Sequence, residues 1–182
     1  MSGFINPGDY PALESLLGKF ADRWPEIFRE GVEAINLFYQ SPEVNIQDAD
    51  DVRLYLLPVK WQGEMADKQL PAGEVILDCV PTAAALSALP LVVSVQYSMS
   101  MPGCEISPHV DNEQWIGDVW RCHLGLSCPA DCALTVDGTT REWVDGQTLV
   151  FDSARVEHSA YNRSSRPRMI LIIDVDRKAL KK

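Results

Sequence analysis

The sequence predicts a mainly β protein, a jelly roll that carries N-terminal α-helices packed on one of its sheets. The main observation is a series of short strand segments in the second half of the chain, separated by turn residues. Asp137-Gly138 and Asp145-Gly146 are dipeptides typical of tight turns between antiparallel strands. Eight short strands within about 85 residues fit two sheets that face each other over one core. The predicted strands are residues 91–100, 104–109, 119–127, 132–137, 141–144, 147–152, 156–162 and 167–175.

The beginning of the chain has a different pattern, typical of amphipathic helices. Apolar side chains recur at spacings of three and four over residues 9–24, and Pro11 lies where a first helical turn tolerates proline. Pro25 is expected to interrupt this helix before a second one follows. Such apolar stripes usually face the protein core. The apolar positions are Leu13, Leu16, Leu17, Phe20 and Trp24, then Phe28, Val32, Ile35 and Phe38.

The segment between the helices and the jelly roll is mixed in character. Residues 40–51 are polar and acidic and predict a loop. The other elements expected here are a strand over residues 52–57 that ends at Pro58, a polar connection over 60–73, and a short helix over 83–89 that ends at Pro90.

Length and charge restrict the class of protein. A chain of 182 residues is expected to form one domain, with a helical and lid-forming part at 1–90 and a jelly-roll core at 91–176. The net charge of −10 argues against a nucleic-acid partner, because an acidic protein repels the phosphate backbone. The sequence shows no apolar run of the roughly 18 residues that span a bilayer and no signal peptide. We therefore expect a cytoplasmic protein without a membrane partner, and the oligomeric state is not readable.

The five cysteines do not predict a structural framework. An odd number of cysteines without a signal peptide argues against disulfides. Cys128 and Cys132 are four residues apart, but no second pair with zinc-finger spacing follows. Free thiols, packed mainly as small apolar groups, are the expectation.

A candidate metal site begins at His109 and Asp111. Alternate residues of a strand leave from the same face, so this imidazole and carboxylate would point to one place. A His-x-Asp triplet alone is most often a surface pair. His158 begins a later predicted strand, and two imidazoles with one carboxylate are the ligand set of non-haem Fe(II) sites, with three positions of an octahedral ion left open. We predict that His109, Asp111 and His158 bind a metal ion.

Four further polar residues lie on the predicted strands and could bind an anion. Arg168 follows His158 by ten residues, and its planar guanidinium matches a carboxylate. Arg121 and His123 alternate on one strand, and Ser98 lies on another. Three of them have an ordinary explanation as well: a rim salt bridge for Arg168, a core histidine for His123 and a strand hydroxyl for Ser98. Only their joint placement favours a functional interpretation.

Several segments, in order and at consistent spacing, resemble the aspartyl/asparaginyl β-hydroxylase family of Fe(II)- and 2-oxoglutarate-dependent oxygenases. The resemblance covers roughly residues 52–176. The segments are YSMSMPGCEISPH (97–109), RCHLGL (121–126), WVDGQTLVFD (143–152), Glu157-His158 with the following Arg168, and CVPTAA (79–84) ahead of the barrel.

This resemblance implies a cupin-like double-stranded β-helix and assigns roles to the candidate residues. His109 and His158 would be iron ligands, and Ser98 and Arg168 would hold the distal carboxylate of 2-oxoglutarate. Arg121 and His123 would face the other end of the co-substrate or the substrate. The implied reaction consumes dioxygen and 2-oxoglutarate, hydroxylates a C–H bond of an amino acid or amino-acid residue, and releases succinate and carbon dioxide.

Two positions depart from the family's pattern or vary within it. The family's best-known animal members lack the acidic ligand, whereas bacterial relatives that act on free amino acids keep it. This chain has Asp111 and so a full triad. Members that hydroxylate aspartyl residues tend to carry a basic residue two positions before Arg121, where this chain has Val119. An aspartyl substrate is therefore not favoured by this comparison.

The substrate is not readable from the sequence. A free amino acid, a peptidyl residue, a carrier-bound amino acid and an acyl chain are all compatible with it, and an embedded lipid is the least expected. A lid formed by residues 60–73 and 112–118 would cover the substrate, with Asn112 and Trp115 as candidate contacts. The alternative function is a metal-binding, cupin-like protein without oxidative chemistry, which would not need Ser98 and Arg168.

Overall fold

The computed structural model describes residues 3–39, 54–65 and 76–180. The helices are α1 (Pro11–Ala21), α2 (Trp24–Tyr39), α3 (Ile76–Cys79), α4 (Pro81–Ser87) and α5 (Glu113–Ile116). The strands are β1 (Phe4–Ile5), β2 (Leu54–Trp61), β3 (Glu64–Met65), β4 (Val92–Ser100), β5 (Cys104–His109), β6 (Val119–Ser127), β7 (Cys132–Val136), β8 (Thr139–Glu142), β9 (Thr148–Phe151), β10 (His158–Asn162) and β11 (Arg168–Asp176). Short 3-10 turns lie at Pro7–Asp9 and Arg177–Ala179.

The strands form two antiparallel sheets. The larger sheet has seven strands in the order β1-β9-β6-β11-β4-β2-β3, and the smaller one has four in the order β5-β10-β7-β8. Apart from the hairpin of β7 and β8, consecutive strands from β4 to β11 alternate between the two sheets, as expected for a jelly roll. The predicted mainly β jelly roll is confirmed.

The large sheet separates two apolar layers. Successive side chains of a strand leave from opposite faces, so each central strand contributes to both layers. On one face Tyr97, Leu124 and Leu171 are fully buried in a cluster with residues of α1 and α2, and the Tyr97 hydroxyl donates to Ile27 O at 3.0 Å. On the other face Ile170 and Ile172 pack in a second cluster with residues of the small sheet. The N-terminal helices thus pack on one sheet, as predicted.

The proline positions explain where the helices and strand β2 differ from expectation. Pro25 is the second residue of α2 rather than a separator, because the first turn of a helix needs no proline N–H. Pro58 does not end β2, which continues to Trp61. The register pairs Pro58 with Gln96 of β4, and the partner on the other side, β3, reaches only Lys60 and Trp61. Among the described residues, the strand therefore lies at a sheet edge at Pro58, and sheets tolerate proline in edge strands.

The tight turn at Asp137-Gly138 shifts the next strand. Both residues have positive φ, 48° and 71°, and join Val136 to its ladder partner Thr139 as a two-residue hairpin turn. Strand β8 therefore begins at Thr139 and ends at Glu142, two residues earlier than predicted. The predicted loop at 40–51 and the start of the 52–57 strand lie outside the described residues. Among the described residues no helix is long and apolar enough to cross a bilayer.

Two helical glycines give a matched test of the packing between helix and sheet. A Cβ on Gly31 of α2 would meet Met169 Cε at 2.5 Å and Tyr97 Cδ1 at 2.6 Å, whereas one on Gly18 of α1 would have nothing within 4 Å. Gly31→Ala should lower the free energy of unfolding by roughly 1–3 kcal/mol through overpacking. Gly18→Ala should raise it by roughly 0.5–1 kcal/mol through helix propensity. Urea titration followed by circular dichroism measures both, and equal effects of the two substitutions would contradict the packing described.

Candidate metal centre

The two candidate histidine ligands lie opposite each other on neighbouring strands. His109 ends β5 and His158 begins β10, and the antiparallel register pairs them directly. Their ring centroids are 4.2 Å apart. Asp111 follows His109 by two residues, and its backbone N–H donates to Ser153 O at 2.9 Å, which fixes the chain just after β5. The strand pairing thus brings two imidazoles and a carboxylate to one end of the small sheet.

The three side chains present their donor atoms to a common point. Asp111 Oδ1 is 3.6 Å from His109 Nε2, and Asp111 Oδ2 is 3.9 Å from His158 Nε2. One ligand atom from each of the three lies within 4.8 Å of the others. The Nδ1 atoms lie 2.8 Å from Ser107 O for His109 and 3.2 Å from Val156 O for His158. Such carbonyl contacts place the ring proton on Nδ1 and leave the Nε2 lone pair for a metal ion.

The protonation states suit a metal site. Burial alone would raise the pKa of the Asp111 carboxyl, but hydrogen bonding to His109 and the charge of Arg121 hold that pKa well below its usual range. The bond to Asp111 raises the pKa of His109 above its ordinary value. Burial lowers the pKa of His158. An ionised carboxylate and a neutral His158 are therefore able to bind a cation, and His109 binds one only in its unprotonated form.

Arg121 makes contacts that the sequence did not indicate. Its Nε and Nη2 donate to Oδ1 and Oδ2 of Asp174 at 2.8 and 2.9 Å, and its Nη1 donates to Asp111 Oδ2 at 2.5 Å. Asp174 is 1% exposed. In this structure the guanidinium is bonded to two carboxylates, and the predicted contact of Arg121 with the co-substrate or the substrate stays a prediction.

A cavity of about 210 Å³ opens between the two sheets beside the triad. All four predicted anion-binding side chains, Ser98, Arg121, His123 and Arg168, line it together with His109 and His158. Its remaining lining is mainly apolar, and that part comprises Leu54, Leu56, Ile106, Leu134, Trp143, Ala160, Ile170 and Ile172, with Gln96 and Ser159 as the polar exceptions. The structure thus collects the predicted polar residues in one cavity between the sheets.

Arg168 is a buried cation with unused hydrogen-bonding capacity. It is 3% exposed, its Nε donates to Ser100 Oγ at 2.9 Å, and its guanidinium lies 4.6 Å from the centre of the Trp143 ring. Its Nη1 is buried without a hydrogen-bond partner among the described residues. Burial lowers the pKa of Arg168 to about 10, so the group keeps its charge at neutral pH. A buried charge with a free donor is costly unless an anion completes it.

His123 is a neutral side chain in the same cavity. Burial, with the positive charges of Arg121 and Arg168, lowers the pKa of His123 well below its ordinary value. Both of its ring nitrogens are buried without a partner among the described residues. Its ring packs edge-on against Phe151 at 5.1 Å between centroids. The core-histidine explanation would require a satisfied ring nitrogen, so these free nitrogens favour a ligand contact.

The predicted substrate contacts lie away from the cavity lining. Asn112 caps α5, where its Oδ1 accepts from Gln114 N at 2.9 Å, and Trp115 is 70% exposed. The Gln62 side chain donates to the Trp115 carbonyl, so the two segments of the predicted lid touch at this point. Residues 66–73 of that lid lie outside the described residues, and substrate contact by Asn112 and Trp115 stays a prediction.

Three residues of the site were missed by sequence reasoning. They are Ser100, Trp143 and Asp174. The sequence does contain an indication that Asp174 belongs to the site, since it is an acidic residue within an apolar strand and lies on the same face of that strand as Arg168. Ser100 alternates with Ser98 on β4, but only the pairing of Arg168 with Ser100 shows which hydroxyl meets the guanidinium.

Comparison with known sequences points to one family. The sequence model of the aspartyl/asparaginyl β-hydroxylases matches residues 21–178. An ornithine lipid ester-linked acyl 2-hydroxylase of Rhizobium tropici is 27% identical over 177 residues, which cover 91% of this chain and 54% of that protein. The aspartate β-hydroxylase domain-containing protein 2 of Xenopus tropicalis is 40% identical over 58 residues, 30% of this chain and 15% of that protein. The chain thus spans about half or less of the length of these relatives.

Comparison with solved structures finds distant neighbours. An oxidoreductase of the 2OG-Fe(II) oxygenase family from Burkholderia pseudomallei has a TM-score of 0.45 at 16% identity, with 80% of this chain and 77% of that chain covered. A cupin domain of a transcriptional regulator from Enterobacter cloacae has a TM-score of 0.44 at 15% identity, with 68% of this chain and 96% of that chain covered.

The raised pKa of His109 predicts how metal affinity depends on pH. Below that pKa a metal ion must displace the proton, so the metal affinity should fall roughly tenfold for each unit by which the pH lies below it. Above it affinity should level off, since His158 and Asp111 already lack protons. Calorimetric titration with Mn²⁺ in two buffers of different ionisation enthalpy measures both affinity and proton release. A pH-independent affinity without proton release would contradict the assignment of His109.

Proposed function

Because the chain belongs to the aspartyl/asparaginyl β-hydroxylase family, we propose that it is an Fe(II)- and 2-oxoglutarate-dependent dioxygenase. It hydroxylates a C–H bond of an amino acid or amino-acid residue. One oxygen atom of O₂ enters the C–H bond and the other enters succinate, while 2-oxoglutarate loses CO₂. When bound, Fe(II) and 2-oxoglutarate supply the reductive activation of dioxygen. The observation that carries the proposal is Arg168, a buried cation with a free donor in the cavity beside the triad.

The donor set of the triad fits Fe(II). His109 and His158 would offer Nε2, and Asp111 a carboxylate oxygen. Two imidazoles and one carboxylate leave positions for a bidentate co-substrate and a further ligand, whereas a structural zinc site would close its coordination with protein ligands. The role of these three residues is to hold the ion at the mouth of the cavity.

Arg168 and Ser98 make the cavity suitable for a carboxylate. 2-Oxoglutarate carries a second carboxylate beyond the end that chelates a metal ion, and Arg168 Nη1 is the donor that lacks a partner. Ser98 lies on the cavity wall, and Ser100 orients the guanidinium through its hydroxyl. A charge-assisted pair with Arg168 would satisfy the donor that burial leaves free.

A metal-binding, cupin-like protein without oxidative chemistry is the second candidate. The triad alone would serve it equally well. It gives no reason, however, to bury a guanidinium in the same cavity, because an unpaired buried cation destabilises the fold. Arg168 therefore favours the oxygenase.

An acyl chain is a second candidate for the substrate. The relative that aligns with 91% of this chain is named as an acyl 2-hydroxylase. The cavity wall also offers mainly apolar side chains, with Leu54 and Leu56 of β2 on the large sheet. The predicted amino-acid substrate and the acyl chain share one requirement, a C–H bond beside the triad.

Succinate formation tests the proposed activity. The protein is incubated with Fe(II), 2-oxoglutarate and oxygen, and succinate is measured without substrate, with free amino acids and peptides, and with acyl-lipid micelles. Turnover stimulated by one substrate class, with a product 16 mass units heavier, identifies that class. Metal binding without succinate under every condition would support the non-oxidative alternative.

Arg168 gives the sharpest prediction for co-substrate binding. Arg168→Ala should raise the Kd for 2-oxoglutarate roughly 30-fold or more at saturating Mn²⁺, because truncation of one member of a buried charge pair costs several kcal/mol. Arg166→Ala, two residues earlier and exposed, is the matched control and should leave that Kd unchanged. Equal 2-oxoglutarate affinity in the Arg168 variant, measured by calorimetry, would argue against the proposed co-substrate.

A further inference from the structure

Arg121 joins a buried carboxylate to the acidic member of the triad. Both oxygens of Asp174 accept from Arg121, at 2.8 and 2.9 Å, in the bidentate geometry that makes such pairs strong. The third donor group, Nη1, bonds to Asp111 Oδ2. Asp111 Oδ1 lies on the other side, 3.6 Å from His109 Nε2. Arg121 thus holds Oδ2 of Asp111 and leaves Oδ1 toward His109.

The charges of this group explain why a second carboxylate is present. An arginine bonded to Asp111 alone would neutralise it and weaken its attraction for a divalent ion. With Asp174 included, two carboxylates share one guanidinium, and the group keeps one net negative charge. Asp174 is 1% exposed, and the side-chain contacts found for it are those with Arg121. Its position on β11 is directly opposite Arg121 in the ladder with β6.

We propose that Asp174 is a positioning residue for the metal centre, which acts through Arg121. It draws the guanidinium's charge away from Asp111, so that Arg121 orients the Asp111 carboxylate without cancelling its charge. This inference rests on the proposed metal-binding function of the triad. It gives Arg121 a role in the surroundings of the metal ligand, beside its predicted contact with the co-substrate or the substrate.

Binding of Mn²⁺ alone to the purified chain tests this proposal. Asp174→Asn preserves the shape of the side chain but leaves Arg121 to Asp111, so Mn²⁺ affinity should fall roughly tenfold, the usual effect of losing an outer-shell partner. The affinity for 2-oxoglutarate at saturating Mn²⁺ should stay within about twofold of the wild type, given that the co-substrate is held elsewhere. Glu105→Gln, which breaks the exposed pair with Arg163, is the control for a general loss of charge.

A double-mutant cycle separates this role from simple structural damage. The effect of Asp174 passes through Arg121, so adding Asp174→Asn to Arg121→Gln should not lower Mn²⁺ affinity further. The same comparison keeps the test valid if Asp174→Asn alone does not fold, because the double variant replaces the ion pair by two neutral amides.

Three results would overturn the proposal. They are an unchanged Mn²⁺ affinity in Asp174→Asn, an equal loss in both backgrounds, and a loss confined to 2-oxoglutarate, which would make Arg121 a co-substrate residue. If the wild-type chain binds no Mn²⁺, the proposed function itself fails, and that result is distinct from each of these.

Discussion

The pairing of β5 with β10 is the constraint on which the candidate site depends. His109 and His158 face each other because these strands are antiparallel and in this particular register. A slip of one residue would turn one of the imidazoles to the opposite face of the sheet. The irregularity between His158 and Ala160 lies directly beside the site, where such bulges commonly re-aim a side chain. The fold therefore supports the site through main-chain hydrogen bonds at one end of a four-stranded sheet.

The space between the two sheets combines an apolar core with buried charge. Ile170 and Ile172 belong to the apolar cluster between the sheets. They lie on the same face of β11 as the charged residues Arg168 and Asp174. The two charged residues differ in their hydrogen bonds. Asp174 is fully paired within the protein, whereas Arg168 keeps a free donor. This difference separates a group that stabilises the site from a group that is available to a ligand, because only an unpaired buried charge gains from binding a counter-ion.

Local sequence patterns were sufficient to predict most of the strands. The contacts within the site depend on the register between strands, which such patterns do not give. The strand predicted at 104–109 is β5 as observed, and the strand at 119–127 is β6, since turn residues mark both ends of each. Pro58 was misjudged, because whether a strand tolerates proline depends on its neighbours in the sheet. The bond from Arg121 to Asp174 joins residues 53 positions apart. No periodicity along one strand reports which residue of another strand lies opposite, so this bond was beyond prediction.

Strand β5 lies at the edge of the small sheet and is paired through β10 within the described residues. Edge strands are the first to fray, and this one carries His109 at its end. In the proposed function, an ion held jointly by residues of β5 and β10 would connect the two strands at that edge and would add its binding free energy to the stability of the pair. Amide hydrogen exchange in β5 would then slow when the metal ion binds, whereas exchange in the central strand β11 would follow global unfolding.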